Sequence, residues 1–234
     1  MKRRHNMRFQ PTASLACARF AAAEARAVSP LLTQEHPPTI RSSTKVNPIQ
    51  KDIAIVVAAH GAPATDYPSM RVGLLMMLEF SGKRVERIGF LRAWRDKLAT
   101  ECRSWPRTAD NDPYKLAVDD LAAKLSAYFG YPTIAAYNEF CAPTIAEAIE
   151  HVIADGARTV VVVPTMLLRG NSHTESEIYE AVIQACKRHP TITIHYAWPF
   201  EQESLVSLLA RQVAACLENS PHAAAMHRVE QIKS

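Results

Sequence analysis

Apolar and polar positions along this chain follow two different periods. Short apolar runs over Asp52–Ala59, Thr133–Tyr137, Thr159–Val163 and Thr191–Tyr196 are rich in Ile, Val, Thr and Ala, and each is too short for a helix. They read as strands. Val160 to Val163 form an unbroken run, which predicts that the third strand is buried on both faces. Between the runs, apolar residues recur at spacings of three and four. Met70, Leu74, Met77 and Leu78 predict a helix over Pro68–Phe80, and Val85, Ile88, Leu91, Trp94 and Leu98 a second one after it. Tyr114–Phe129, Pro143–Ala154, Thr174–His189 and Glu201–Leu217 complete the helices. Thr174 and Glu177 have the Thr-x-x-Glu spacing of a capping box at the start of one of them. Strands alternating with helices predict an α/β fold, a four-stranded parallel sheet with helices on both faces.

The pattern also divides the chain. Residues 1–50 show no periodic apolar face and read as a disordered basic extension. Their Arg- and Ser-rich, acid-poor composition fits either an organelle transit peptide or an upstream extension. Residues 51–217 carry the alternating elements, with an insertion over about 64–112, and 218–234 read as a flexible tail.

Charge changes meaning once it is divided in the same way. The formal net charge is +4, but residues 1–50 hold eight Lys/Arg against Glu24 and Glu35, so the remainder is slightly acidic. No basic face for phosphate neutralisation is expected on the domain, which gives nucleic-acid binding no support, and no nucleic-acid partner is expected. No apolar run reaches the length of a membrane span. The cysteines, at 17, 102, 141, 186 and 216, are odd in number and lack a Cys-x-x-Cys pair. That usage suits reduced thiols in the cytoplasm.

Candidate chemistry gathers where the strands end. His60 follows the first, Asn138-Glu139 the second, and the loop to Arg169-Gly170-Asn171-Ser172-His173 the third. In a parallel sheet these carboxyl ends share one edge, where α/β sheets bind ligands. Two imidazoles and a carboxylate suit a borderline divalent ion, with positions left open for substrate. The chain has no Gly-x-Gly-x-x-Gly, no phosphate-binding Gly-x-x-x-x-Gly-Lys-Ser/Thr and no Gly-x-Ser-x-Gly elbow. Ala59 stands where histidine phosphatases place an arginine before His-Gly, which leaves phosphotransfer to His60 as a minor reading.

Four segments carry a family resemblance. They are the strand ending in His60-Gly61, the segment from Tyr137-Asn138-Glu139-Phe140-Cys141-Ala142-Pro143 to Ile149, Gly156 to Pro164, and Gly170-Asn171-Ser172-His173. In that order and spacing the chain resembles the sirohydrochlorin chelatases, metal-inserting enzymes related to ferrochelatase. The resemblance spans Asp52 to about Leu217 apart from the insertion. It implies a chelatase-like module that places Co²⁺, Ni²⁺ or Fe²⁺ in a tetrapyrrole such as sirohydrochlorin, with the divalent metal a substrate and no prosthetic group. By position it makes His60, Glu139 and His173 the metal-holding and catalytic residues, and a single module implies a homodimer.

Arg169 and Gly170 beside His173, with Arg84, Arg87 and Arg95 of the insertion, are candidates to hold the tetrapyrrole's carboxylates. The insertion itself is expected to form a lip over the same sheet edge. Ala62 stands where the family usually has serine, and the insertion begins like a ferrochelatase loop. Both features favour the alternative, a metal or tetrapyrrole binding and delivery protein without turnover.

Overall fold

The computed structural model describes residues 52–218, without the side chains of Lys83, Arg84 and Glu218. The expectations for residues 1–50 and for the tail from 219 onward lie outside the described residues. The elements run β1 (Ile53–Ala59), α1 (Ser69–Phe80), α2 (Lys83–Arg87), α3 (Gly89–Ser104), α4 (Pro113–Phe129), β2 (Thr133–Tyr137), α5 (Ile145–Ala154), β3 (Thr159–Pro164), α6 (Ile178–Arg188), β4 (Thr193–Tyr196) and α7 (Gln202–Glu218). All strand pairs are parallel and the sheet order is β2-β1-β3-β4. The α/β class and the four parallel strands are as the sequence predicts.

Helices lie on both faces. Ala54, Val56 and Ala58 of β1 pack with Val160 and Val162 of β3 beneath α5 (Ile145, Ala148, Ile149, Val152) and α6 (Ile178, Val182, Ala185). On the other face Ile55, Val57 and Ala59 meet Val118 and Ala122 of α4. Each helix is set by local chemistry. Asp112 caps α4 by accepting from the Lys115 N–H at 2.8 Å, Pro113 fills the first turn, and Gly130 ends it at a φ of 71°.

Several sequence expectations are corrected. β3 is not buried on both faces, because Val160, Val162 and Pro164 are buried while Val161 and Val163 are half-buried. The reason is that α4 packs mainly on β2 and β1 and covers that face of β3 only in part, at Val163. The helix expected through Val85 and Leu98 breaks at Ile88, whose φ of −110° and ψ of 99° are extended; Gly89, a weak helix former, follows it. β4 starts two residues late, since the Ile192 N–H turns back onto the His189 carbonyl. The capping box is at Thr144 and Glu147, where both reciprocal bonds are made, and not at Thr174 and Glu177. No described helix is long and apolar enough to cross a membrane.

The insertion has a small core of its own. Ala64, Tyr67, Leu75, Leu78, Val85, Leu98 and Cys102 are buried together, with Phe140 of the loop after β2 against them. Of the stripe expected on this segment, Val85 is buried and Leu91 half-buried, while Ile88 and Trp94 stay exposed.

Candidate metal centre

In a sheet ordered β2-β1-β3-β4 the chain leaves β1 to one side and β3 to the other, so their carboxyl ends open a crevice. His60 stands at the end of β1, Glu139 two residues beyond β2, and His173 at the end of the loop after β3. One ligand atom from each of these residues can be chosen so that all lie within 4.8 Å of one another. Among the described residues no other group of His, Cys, Asp and Glu gathers in this way.

The β1 and β2 loops are laced backbone to backbone. Asn138 N–H donates to the Ala59 carbonyl at 2.9 Å and Glu139 N–H to the His60 carbonyl at 2.8 Å. This close approach requires Gly61. Its φ is +92°, and a Cβ built there would lie 1.9 Å from the Glu139 carbonyl oxygen. Phe140, next to Glu139, is held at a φ of 56°, rare for an aromatic residue, and its ring centroid is 6.3 Å from that of His60.

His60 Nδ1 lies 2.7 Å from the Gly61 carbonyl oxygen, which can only accept. Nδ1 therefore carries a hydrogen, and in the neutral ring Nε2 holds the lone pair. That Nε2 is 3.9 Å from Glu139 Oε2, a gap wide enough for an ion between them. His173 begins a wide π-helical turn over His173–Glu177. Its Nδ1 is 3.0 Å from Glu177 Oε2, 3.0 Å from Asn138 Nδ2 and 4.0 Å from Glu139 Oε1. Burial pushes the Glu177 carboxyl up, but the Asn138 amide and the His173 ring outweigh it and hold the group below the ordinary range.

The arginines expected to meet substrate divide. Arg87 and Arg169 are exposed, and Gly170 turns the β3 loop at a φ of 87° with its N–H donating to Glu175 Oε1 at 3.2 Å. Arg95 is occupied, bonding Glu86 and, at 2.7 Å, Asp96, so it is not a free cation for substrate. The side chain of Arg84 lies outside the described residues. At the end of α1, burial lifts the Glu79 carboxyl above its ordinary range; Arg95 opposes this and Glu139 adds to it. The insertion meets the site loops through Phe140, next to Glu139, which packs against the insertion's core.

Sequence reasoning missed Asn138 and Glu177 as partners of His173. The His-x-x-x-Glu spacing was a usable signal, since such residues share a helical face. It also missed Arg107, whose guanidinium donates to the carbonyls of Ala62 at 2.7 Å and Phe140 at 2.6 Å, one on each of two site loops. The thiols are not rival ligands here. Burial raises Cys102 and pushes Cys141 up to about 11.

Residues 109–216 match the family described as CbiX. No curated protein matches the chain. Among experimental structures it is similar to a cobalamin (vitamin B12) biosynthesis CbiX protein from Marinobacter aquaeolei VT8, at 18% identity and a TM-score of 0.41 over 72% of this chain and 99% of that one. It is also similar to the sirohydrochlorin chelatase SirB from Bacillus subtilis subspecies spizizenii in complex with cobalt, at 19% identity and a TM-score of 0.36 over 63% of this chain. A third is SirB from Bacillus subtilis with Fe³⁺, at 17% identity and a TM-score of 0.40 over 73% of this chain. The matches span 43% and 48% of the two SirB chains, under half their length.

Proposed function

We propose that this protein, whose residues 109–216 match the CbiX family, is a divalent-metal chelatase that inserts Co²⁺, or Ni²⁺ or Fe²⁺, into a tetrapyrrole such as sirohydrochlorin. The observation that carries the reading is the approach of His60, Glu139 and His173 to within 4.8 Å. Glu139 and His173 lie inside the matched segment and His60 outside it. The tetrapyrrole comes from the resemblance of the strand-end segments to sirohydrochlorin chelatases.

Insertion exchanges one M²⁺ for two pyrrole N–H protons, so the site must hold a partly dehydrated ion and also accept protons. Imidazole does both near neutral pH, as a ligand through a bare ring nitrogen and as a base through the same atom once the ion has moved on. Glu139 adds an anionic oxygen that offsets part of the ion's charge. His60, Glu139 and His173 face open crevice, and each is only partly buried, which leaves coordination positions for the macrocycle nitrogens. Arg169 and Arg87, both exposed, are the described cations proposed to pair with substrate carboxylates, with Gly170 giving the loop its turn.

The proposal includes a homodimer. What supports it is α7, whose Val206, Leu208, Leu209 and Val213 are each at least 48% exposed. Sedimentation should then give twice the chain mass, and serine at Val206, Leu209 and Val213 together should halve it.

The deciding experiment mixes purified protein with sirohydrochlorin and Co²⁺, Ni²⁺ or Fe²⁺, with protoporphyrin alongside, and follows absorbance against buffer. Many turnovers per chain are expected with sirohydrochlorin. Metal uptake that stops at one equivalent per chain would instead make this a delivery protein.

A further inference from the structure

We propose that Glu177 and Asn138 are positioning residues that set the tautomer of His173, placing its hydrogen on Nδ1 and its lone pair on Nε2. The inference rests on the reading of His173 as a metal ligand and deepens it. Neither residue touches the reacting atoms in this proposal; both act through the imidazole.

The backbone of His173 is already pinned. Its N–H donates to Asn171 Oδ1 at 2.9 Å, and the Thr174 hydroxyl behind it, fully buried, donates to the Asn171 carbonyl at 3.1 Å. What remains to be fixed is the ring. Nδ1 meets two side chains at the same distance, the Glu177 carboxylate and the Asn138 amide nitrogen, each at 3.0 Å. These neighbours make opposite demands. A carboxylate has only lone pairs to offer and needs a hydrogen on Nδ1; an amide NH₂ is a donor and needs Nδ1 bare.

The third side of the triangle decides between them. Asn138 Nδ2 lies 2.5 Å from Glu177 Oε2, so the amide already spends a hydrogen on the carboxylate. Glu177 then accepts from both Asn138 and His173, and Nδ1 carries the hydrogen. A bare Nδ1 would face the anionic oxygen lone pair to lone pair at 3.0 Å. Asn138 is itself held by its backbone, whose N–H continues the ladder onto the Ala59 carbonyl at 2.9 Å. The clamp thus ties the β2 loop to the π-helical turn across the crevice.

The consequence is directional. With Nδ1 protonated, Nε2 is the bare nitrogen, as it is on His60, so both rings offer the same kind of atom. Removing the Glu177 carboxylate leaves Asn138 alone against Nδ1. The amide then donates to that nitrogen, the hydrogen moves to Nε2, and the ring loses the lone pair it would offer an ion. Asn138 therefore supports the site beside Glu177 and opposes it without Glu177.

The test uses the full chain and two readouts. In metal-free protein labelled with ¹⁵N-histidine, the ring shifts of His173 report which nitrogen holds the hydrogen. The wild type is expected to be the Nδ1–H tautomer and Glu177→Ala the Nε2–H tautomer. Titration with Co²⁺ alone, followed by visible absorbance, is expected to show Glu177→Ala weakened about 10- to 100-fold. Glu177→Gln, whose amide oxygen can still accept from Nδ1, should lose less. The double variant Asn138→Ala/Glu177→Ala should bind better than Glu177→Ala, because the wrong donor is gone; a merely structural role predicts the reverse order. An Nε2–H tautomer in the wild type, or equal Co²⁺ affinity in Glu177→Ala and the wild type, overturns the proposal. A wild-type protein that shows the Nδ1–H tautomer but takes up no Co²⁺ sinks the chelatase reading and leaves the tautomer assignment standing.

Discussion

The imidazole rings of His60 and His173 stand edge to face, their planes 86° apart and their centroids separated by 4.6 Å. His60 follows β1 directly and His173 ends the loop after the neighbouring β3, and neither belongs to a buried cluster of the core. Replacing either with alanine should therefore remove a ligand without removing core packing. Co²⁺ affinity is expected to fall on the order of 100-fold or more, beyond what a supporting contact is worth. The thermal midpoint should shift little, as for other substitutions outside the core. Insertion activity near wild type in His173→Ala would take that residue out of the site.

Gly61 and Gly73 make a matched pair of tests. Alanine at Gly61 must hold a φ of +92° and would press its Cβ to 1.9 Å from the Glu139 carbonyl oxygen. The backbone strain alone costs about 1–3 kcal/mol, and relief of the clash moves Glu139. Gly61→Ala should thus lose both stability in urea and Co²⁺ affinity. Gly73 lies inside α1 with nothing within 4 Å of a built Cβ. There alanine should stabilise by roughly 0.5–1 kcal/mol. Wild-type stability and affinity in Gly61→Ala would show that the two loops are not packed this closely.

How much of this was legible in the sequence depends on the range of the forces involved. The strands show because β-branched runs such as Val160 to Val163 reflect burial against immediate neighbours, and the order of the loops then places His60, Glu139 and His173 on one edge. The capping box shows the limit. Thr144 with Glu147 and Thr174 with Glu177 have identical spacing, yet only Thr144 takes the extended φ of −67° and ψ of 162° that a cap needs. Thr174 is fully buried inside the π-helical turn, and its Glu177 is drawn to His173 and Asn138 instead. Arg107 is invisible for another reason: its acceptors at Ala62 and Phe140 are main-chain carbonyls 45 and 33 residues away, which leave no mark on side-chain pattern.

The capping box at α5 gives a dependence on pH. The Thr144 backbone N–H, donating to Glu147 Oε2 at 2.7 Å, and the Thr144 side chain hold the Glu147 carboxyl below its ordinary range against a smaller effect of burial. A carboxyl depressed in the folded state adds stability that is fully present above the unfolded value of about 4.3. That contribution drains as pH falls through the lower folded value. Glu147→Gln should therefore show a shallower acid-side loss in urea titrations than the wild type. Thr144→Ala should cost about 1 kcal/mol at neutral pH. Parallel acid limbs for Glu147→Gln and the wild type would remove Glu147 from the acid response.

Arg107 joins both halves of the site to one buried charge. Its guanidinium donates to Asp112 Oδ2 at 2.7 Å and to the carbonyls of Ala62, Cys102 and Phe140 at 2.7, 2.9 and 2.6 Å. The pair is nearly dry, the side chains being 10% and 1% exposed. Asp112 also receives the Lys115 N–H at 2.8 Å and the Cys141 thiol at 3.4 Å, so it cannot turn away to find another cation. Methionine at Arg107 fills similar space but strands the carboxylate, a loss of about 3–5 kcal/mol. Lysine keeps the charge without the fork that spans four acceptors, so it should recover only part of that loss. Adding Asp112→Asn to Arg107→Met should also recover stability, because asparagine still caps α4 and leaves no stranded charge. Co²⁺ affinity should follow a different order. The double variant remains without the donor shared by the Ala62 and Phe140 carbonyls, so the His60 and Glu139 loops stay unbraced and binding stays weak although the fold is restored. Wild-type Co²⁺ affinity in the folded double variant would confine Arg107 to stability and detach it from the site.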